Sequence, residues 1–173
     1  RSLHRIQRAR RAMAAVIAAL LILARHADIP PHIALLDVND LVRHEVDTAH
    51  DLLGNRPAAL HLHRPGPVHP PAPPRVLQVV VSNLVRNACN YTDEGRIDVQ
   101  VEPDRVVVRD TGIGMSAEAL ARAFEPFYRA EPDRPQGTGL GLSIVRRLCD
   151  RFGWKVALAS EPGKGTEATV IFR

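Results

Sequence analysis

Three short stretches of the sequence place polar residues or glycines where they could do chemistry. In Asn83-Leu-Val-Arg-Asn87-Ala-Cys-Asn90-Tyr91, the spacing 83, 87, 90 puts three carboxamides on one face if the stretch is helical. Buried carboxamides must find partners, and their oxygens suit a hard cation such as Mg2+. In Asp110-Thr-Gly112-Ile113-Gly114, an acid followed by two glycines lets backbone approach a ligand closely. The carboxylate accepts hydrogen bonds, so it could read an amino group such as that of adenine. In Gly137-Thr138-Gly139-Leu140-Gly141-Leu142-Ser143, three alternate glycines run into a helix. The first N–H groups of that helix and its dipole form an anion site suited to phosphates. No GK[ST] follows, and the spacing is not GxGxxG, so neither the P-loop nor the dinucleotide-binding fingerprint is present.

These stretches need elements to hold them. Arg75 to Tyr91 reads as a helix rich in Val and Leu, carrying the three asparagines near its end. Arg96 to Val101 and Arg105 to Asp110 alternate as strands around Pro103-Asp104, a hairpin that delivers Asp110 at a strand end. Ser116 can cap a short helix over 117–123, and residues 128–136 form a polar loop. Leu142 to Phe152 is the helix behind the glycines. Lys155 to Ser160 and Glu167 to Phe172 are strands joined through Pro162-Gly163 and Gly165. Upstream, Ile33 to Val38 reads as a strand, and Asn39 or Asp40 as the cap of a helix to about Leu53, with Leu41, Val42, Val46 and Leu53 on one side. Ala58 to His63 is a strand. Pro65, Pro67, Pro70, Pro71, Pro73 and Pro74 make a stiff surface connection rather than a domain boundary. The expectation is an α+β fold, a two-layer α/β sandwich with a mixed sheet.

Residues 2–26 read as one long helix. Leu3, Ile6, Met13, Ile17, Leu20 and Ala24 follow heptad steps, with Arg10 in the skipped position, and Val16, Leu21, Ile22 and Leu23 widen the stripe. Such a helix expects several neighbours, as in a bundle. Pro30 and Pro31 end it, which divides the chain into residues 1–29 and 30–173.

The 173 residues, 45% hydrophobic and 24% charged, fit a soluble globular class with one well-cored domain and an appendage. The net charge of +4 owes much to Arg5, Arg8, Arg10 and Arg11. No aromatics interleave with them, so they read as the solvated face of a helix and not as a nucleic-acid site. The apolar run Ala12 to Ala24 is 13 residues long, short of the ~18–20 that span a bilayer. Arg1 is not a natural start residue, so the chain reads as an excised fragment whose membrane anchor would lie elsewhere. Cys89 and Cys149 have no ligand spacing and read as small core residues. His61, His63 and His69 flank the proline connection and read as exposed, not as a metal site.

Taken together and in this order, the three stretches resemble the boxes of the GHKL nucleotide-binding superfamily, and within it the sensor histidine kinases. NLVRNACNYT looks like the N box, DTGIG the G1 box, Phe124-Glu-Pro-Phe127-Tyr-Arg129 the F box and GTGLGLSIV the G2 box. Gly163-Lys-Gly165-Thr166 resembles the last glycine-threonine turn. The resemblance covers about residues 33–173 and implies ATP and Mg2+ bound under a flexible lid between the F and G2 boxes. By motif, Asn87 would ligate Mg2+ and Asn83 would support the phosphate end. Asp110 would bind the adenine amino group, with Thr166 at the same base. Gly112, Ile113 and Gly114 would admit the base, and Gly137, Thr138, Gly139, Leu140, Gly141 and Leu142 would meet the phosphates. Tyr91 would flank the ring, and Arg129 would approach the polyphosphate. Asn90 stands where the family often has Lys, so the point charge at the phosphates is missing there.

Asn83 also sorts the superfamily. Its ATPase and protein-serine kinase members place a Glu there as general base. Asn cannot accept a proton, but a neutral imidazole is already nucleophilic and needs less help. The resemblance therefore implies transfer to histidine. A degenerate, non-catalytic pocket is the alternative, with Asn90 the only mark in its favour. No histidine stands in an H-E-[LF]-[RK]-[ST]-P context; His44-Glu45-Val46-Asp47 is a partial lookalike inside a helix. The helix 2–26, ending Leu23-Ala24-Arg25, resembles the second helix of the family's dimerisation and phosphoacceptor bundle. The implied whole is a bacterial inner-membrane sensor whose cytoplasmic portion forms a homodimer through that bundle and passes phosphate to a response regulator.

Overall fold

A computed structural model describes residues 17, 38–63, 73–134 and 137–172. The expected helix 2–26, the boundary at 29/30, residues 33–37 of the expected first strand, His69 and residues 64–72 of the proline connection lie outside the described residues. In chain order the elements are α1 (Val38–Leu53), β1 (Ala58–His63), α2 (Pro74–Tyr91), β2 (Gly95–Glu102), β3 (Arg105–Asp110), α3 (Ala117–Arg122), α4 (Gly141–Phe152), β4 (Lys155–Glu161) and β5 (Gly165–Ile171).

Five strands form one sheet in the order β1-β2-β3-β5-β4. β1 runs parallel to β2, and the remaining pairs are antiparallel, as the expected mixed sheet requires. The register stacks Val99 beside Val108, Val101 beside Val106, and Val106 beside Val170, all buried. Their strand neighbours point to the other, polar face. There Arg109 pairs with Glu167, Arg96 with Asp98, and His63 Nε2 lies 2.9 Å from Asp98 Oδ1. Period-two alternation thus leaves one face for the helices and one for water.

Helices α1, α2 and α4 supply the second layer. On α1, Leu41, Val42, Val46, Ala49 and Leu53 are buried at helical spacing. That helix begins at Val38, so Asn39 and Asp40 lie inside its first turn and not at its cap. Asp40 instead favours the positive helix end and pairs with Arg43. On α2, Leu77, Leu84, Val76, Val80, Val81 and Val85 are fully buried; each such side chain contributes about 1.5–3 kcal/mol relative to exposure. Pro74 starts α2, where its missing N–H costs nothing. Ser116 caps α3 as expected, its Oγ accepting from the Ala119 N–H. Cys89 and Cys149 are core residues, and burial pushes their thiols up to about 11 and about 12.

Candidate functional site

The site begins with the end of α2. Thr92 leaves the helix in an extended conformation, so the last carbonyls of α2 need partners. Arg56, between α1 and β1, supplies them: its Nη1 donates to Cys89 O (2.7 Å) and Thr92 O (3.0 Å). The same guanidinium donates to Leu52 O (2.7 Å) and Leu53 O (3.2 Å) at the end of α1. One cation therefore closes the negative ends of two helices.

On this anchored segment the three asparagines differ. Asn83 is 6% exposed and its Nδ2 donates to Val79 O (2.7 Å). Its Oδ1 faces the first turn of α4, so close that a Cβ on Gly141 would stand 3.2 Å from it. The N-terminal end of α4 is thus brought against the middle of α2. Asn87 and Asn90 are half-buried, and their carboxamides make no hydrogen bond among the described residues. Tyr91 is half-buried; burial pushes its hydroxyl up, and the nearby Arg129 and Arg134 guanidiniums pull the other way.

Asp110 faces inward because the register sets it beside buried Ile97. It is 6% exposed, and its Oδ1 accepts from the Gly112 N–H (2.9 Å) and the Thr166 N–H (3.2 Å). Oδ2 takes no hydrogen bond from a described residue. Burial pushes this carboxyl above its ordinary value, and the two N–H groups oppose the shift. The turn after Asp110 folds onto α2, with the Ile113 N–H donating to Tyr91 O (3.1 Å).

Three of these glycines come close to the chain's own backbone. A Cβ on Gly112 would lie 2.2 Å from Tyr91 O, one on Gly114 1.9 Å from Glu161 O, and one on Gly139 2.6 Å from the Phe127 carbonyl carbon. They admit the chain's own backbone, and through it fix the walls of the site. Gly165, expected in a turn, is the first residue of β5 and packs under Asp110.

At α4 no side chain caps the N-terminus. The first helical bond runs from the Ile144 N–H to Leu140 O (3.0 Å), so the N–H groups of Gly141, Leu142 and Ser143 have no partner within the helix. Gly137 and Thr138 are exposed, and Thr138 Oγ1 accepts from the Leu140 N–H (3.4 Å). Between α3 and α4, Phe127 has φ 65° and 73% exposure, held where its N–H donates to Gly139 O (2.8 Å). Arg129 is turned to its own loop: Nη2 donates to the carbonyls of Arg134 and Glu131.

The structure therefore brings Asn83 against Gly141 at the start of α4, sets Gly112 and Ile113 on Tyr91 at the end of α2, and joins Asp110 to Gly112 and Thr166, while Gly137 and Thr138 stay exposed. Sequence reasoning missed three residues. Arg56 closes the helix ends. Arg134 donates to Asn90 O (2.8 Å), forms a two-pronged pair with Asp93 (3.1 and 2.7 Å) and stands 5.6 Å from the Tyr91 ring centre. It places a guanidinium at the end of α2, and its bond holds the Asp93 carboxyl below the usual carboxylate range. Ser160 bonds to both the turn after β3 and the start of β5. Among the described residues no cluster of three or more His, Cys, Asp or Glu could hold a metal. His61, His63 and His44 are exposed.

Residues 72–173 match the family model described as histidine kinase-, DNA gyrase B-, and HSP90-like ATPase. The chain is similar to sensor histidine kinase RcsC of Escherichia coli (strain K12), 40% identical over 104 residues, which are 56% of this chain and 11% of that protein. Sensor protein QseC of Escherichia coli (strain K12) is 42% identical over 98 residues, again 56% of this chain and 22% of that protein. The chain thus spans only about a tenth to a fifth of these curated relatives' length. Among solved structures, full-length ShkA in complex with AMPPNP superposes with a TM-score of 0.71 at 26% identity, covering 90% of this chain and 34% of that one. The cytoplasmic segment of histidine kinase QseC gives a TM-score of 0.66 at 22% identity, covering 94% and 93%, and shares the fold.

Proposed function

Because the chain belongs to the histidine kinase-, DNA gyrase B-, and HSP90-like ATPase family, we propose that it is the phosphoryl-donating part of a two-component sensor histidine kinase. In this reading residues 30–173 bind Mg-ATP and deliver its γ-phosphoryl to a histidine, which passes it to an aspartate of a response regulator. Residues 1–29 would be the second helix of the dimerisation and phosphoacceptor bundle, and the acceptor would stand on another helix. The whole would be the cytoplasmic portion of a membrane-anchored homodimeric sensor. Among the described residues no helix is long and apolar enough to cross a membrane.

The observation that carries the reading is Asn83. It sits where the middle of α2 meets the first turn of α4, and it holds an amide where a water-activating carboxylate would be needed for hydrolysis. The site therefore works by positioning and charge stabilisation. Asp110 Oδ2 and Thr166 hold the adenine amino group. Gly112, Ile113 and Gly114 line the base, and Tyr91 flanks it. The unpartnered N–H groups at the start of α4, with Gly137, Thr138, Gly139 and Leu140 before them, hold phosphate oxygens. Asn87 fits Mg2+: its carboxamide is half-buried and makes no hydrogen bond among the described residues, an oxygen donor of the kind hard cations prefer. When bound, the cation would neutralise charge on the triphosphate. Arg129 would exchange its loop carbonyls for the polyphosphate.

A radiolabel experiment tests this. With γ-labelled Mg-ATP and a separately supplied acceptor helix, label appears as phosphohistidine on the acceptor and not on this chain. Label on this chain alone, or ATP turnover at ordinary enzyme rates, would overturn the assignment. A second expectation concerns Asn90. Because its carboxamide has no hydrogen-bond partner among the described residues to give up, Asn90→Lys adds a charge near the phosphates and tightens Mg-ATP binding by about tenfold. Unchanged affinity by calorimetry would place residue 90 away from the phosphates.

A further inference from the structure

Ser160, in β4, has a hydroxyl whose three contacts fix the direction of every proton around it. Its Oγ lies 2.9 Å from the Met115 N, 2.9 Å from the Gly165 carbonyl oxygen and 2.8 Å from Thr166 Oγ1. An N–H can only donate and a carbonyl can only accept, and a serine hydroxyl carries a single proton. Met115 therefore donates to Ser160, and Ser160 donates to Gly165. The third bond can only run from Thr166 to Ser160. The one proton of Thr166 is then committed to Ser160, and its oxygen can offer any other group lone pairs alone. The N–H of the same Thr166 donates to Asp110 Oδ1, and Asp110 Oδ2 is an acceptor with no donor among the described residues. Two side chains at one corner of the site thus present acceptors only.

We infer that Ser160 is a positioning residue that makes this corner acceptor-only, so that the site selects a 6-amino purine over a 6-oxo purine. The inference rests on the nucleotide-binding reading and deepens it. An exocyclic amino group donates to Thr166 Oγ1 and Asp110 Oδ2, directly or through water. A 6-oxo group brings a third acceptor, finds no donor and loses its own hydration. Without Ser160, the Thr166 hydroxyl is free to turn its proton toward such a carbonyl.

The test compares dissociation constants of Mg-ATP and Mg-ITP for the 173-residue chain by calorimetry. Wild type prefers ATP by about tenfold or more. Ser160→Ala shrinks that ratio severalfold, by weakening ATP and sparing or improving ITP. Ser160→Thr, which keeps the hydroxyl, retains it. A purely structural role weakens both nucleotides by the same factor; an unchanged ratio in folded Ser160→Ala, or equal wild-type affinities, overturns the inference alone. Binding of neither nucleotide by wild type overturns the nucleotide reading as well. If Ser160→Ala does not fold, Thr166→Val replaces it: ATP affinity falls and ITP affinity holds, and an equal loss of both overturns the inference.

Discussion

Replacing Asp110 with asparagine is expected to lower ATP affinity by about 100-fold or more while leaving the fold at least as stable. The two expectations come from the two oxygens. Oδ1 accepts from the Gly112 and Thr166 N–H groups; asparagine keeps those bonds only with its oxygen in the same place. Its NH2 then replaces Oδ2, and a donor faces the adenine amino group. The folded state, by contrast, is relieved of a buried charge. The carboxyl of Asp110 is raised above its ordinary value by burial, so the folded chain holds that proton more tightly than the unfolded one. Its stabilising effect is full below the ordinary carboxylate value and is lost as pH rises through the raised one. The asparagine variant lacks this loss, so its advantage over wild type grows across that window and is complete once pH has passed through the raised value. Denaturant unfolding at several pH values, beside ATP titration, checks both halves. A stable variant that binds ATP normally would remove Asp110 from the base.

Gly165→Ala is expected to cost about 3–5 kcal/mol of stability. Its φ is 92°, and an added Cβ would stand 1.9 Å from Asp110 O and 2.8 Å from Thr111 Cα. Those atoms are backbone at the end of the middle strand β3 and in the residue after it, and cannot swing aside. Any shift that makes room also moves Asp110, so the surviving folded fraction binds ATP poorly. Gly163→Ala is the internal control. It has φ 74° but open space around the added methyl, so only the left-handed backbone cost of about 1–2 kcal/mol applies. Equal midpoints for the two variants in urea would contradict the packing argument.

The contrast between these two glycines shows where the sequence is legible. Periodicity located the helix bearing Asn83, Asn87 and Asn90 and the hairpin ending at Asp110, because both patterns are local. The box order then identified the sandwich. What stayed hidden depends on distant partners. Arg56 reaches carbonyls 33 and 36 residues away, Arg134 reaches Asp93 across 41, and Ser160 meets Met115 across 45. A long side chain in a loop, or a serine in a strand, carries no spacing that names its target. The glycines were readable as special but not as to why. Gly112, Gly114 and Gly165 make room for the chain's own backbone, which only the folded register reveals. Asn39 and Asp40 misled because a good cap residue also serves inside a first turn.

Arg56 has a consequence for how the molecule comes apart. Its single guanidinium holds Leu52 and Leu53 at one helix end and Cys89 and Thr92 at another. Fraying at either end displaces the same guanidinium, so the two ends behave as one cooperative unit, although Leu53 and Cys89 lie far apart in the chain. Amide exchange near residue 53 and near residue 90 would then share one opening event, and the segment bearing the asparagines would be no more rigid than the far shorter loop that holds this arginine.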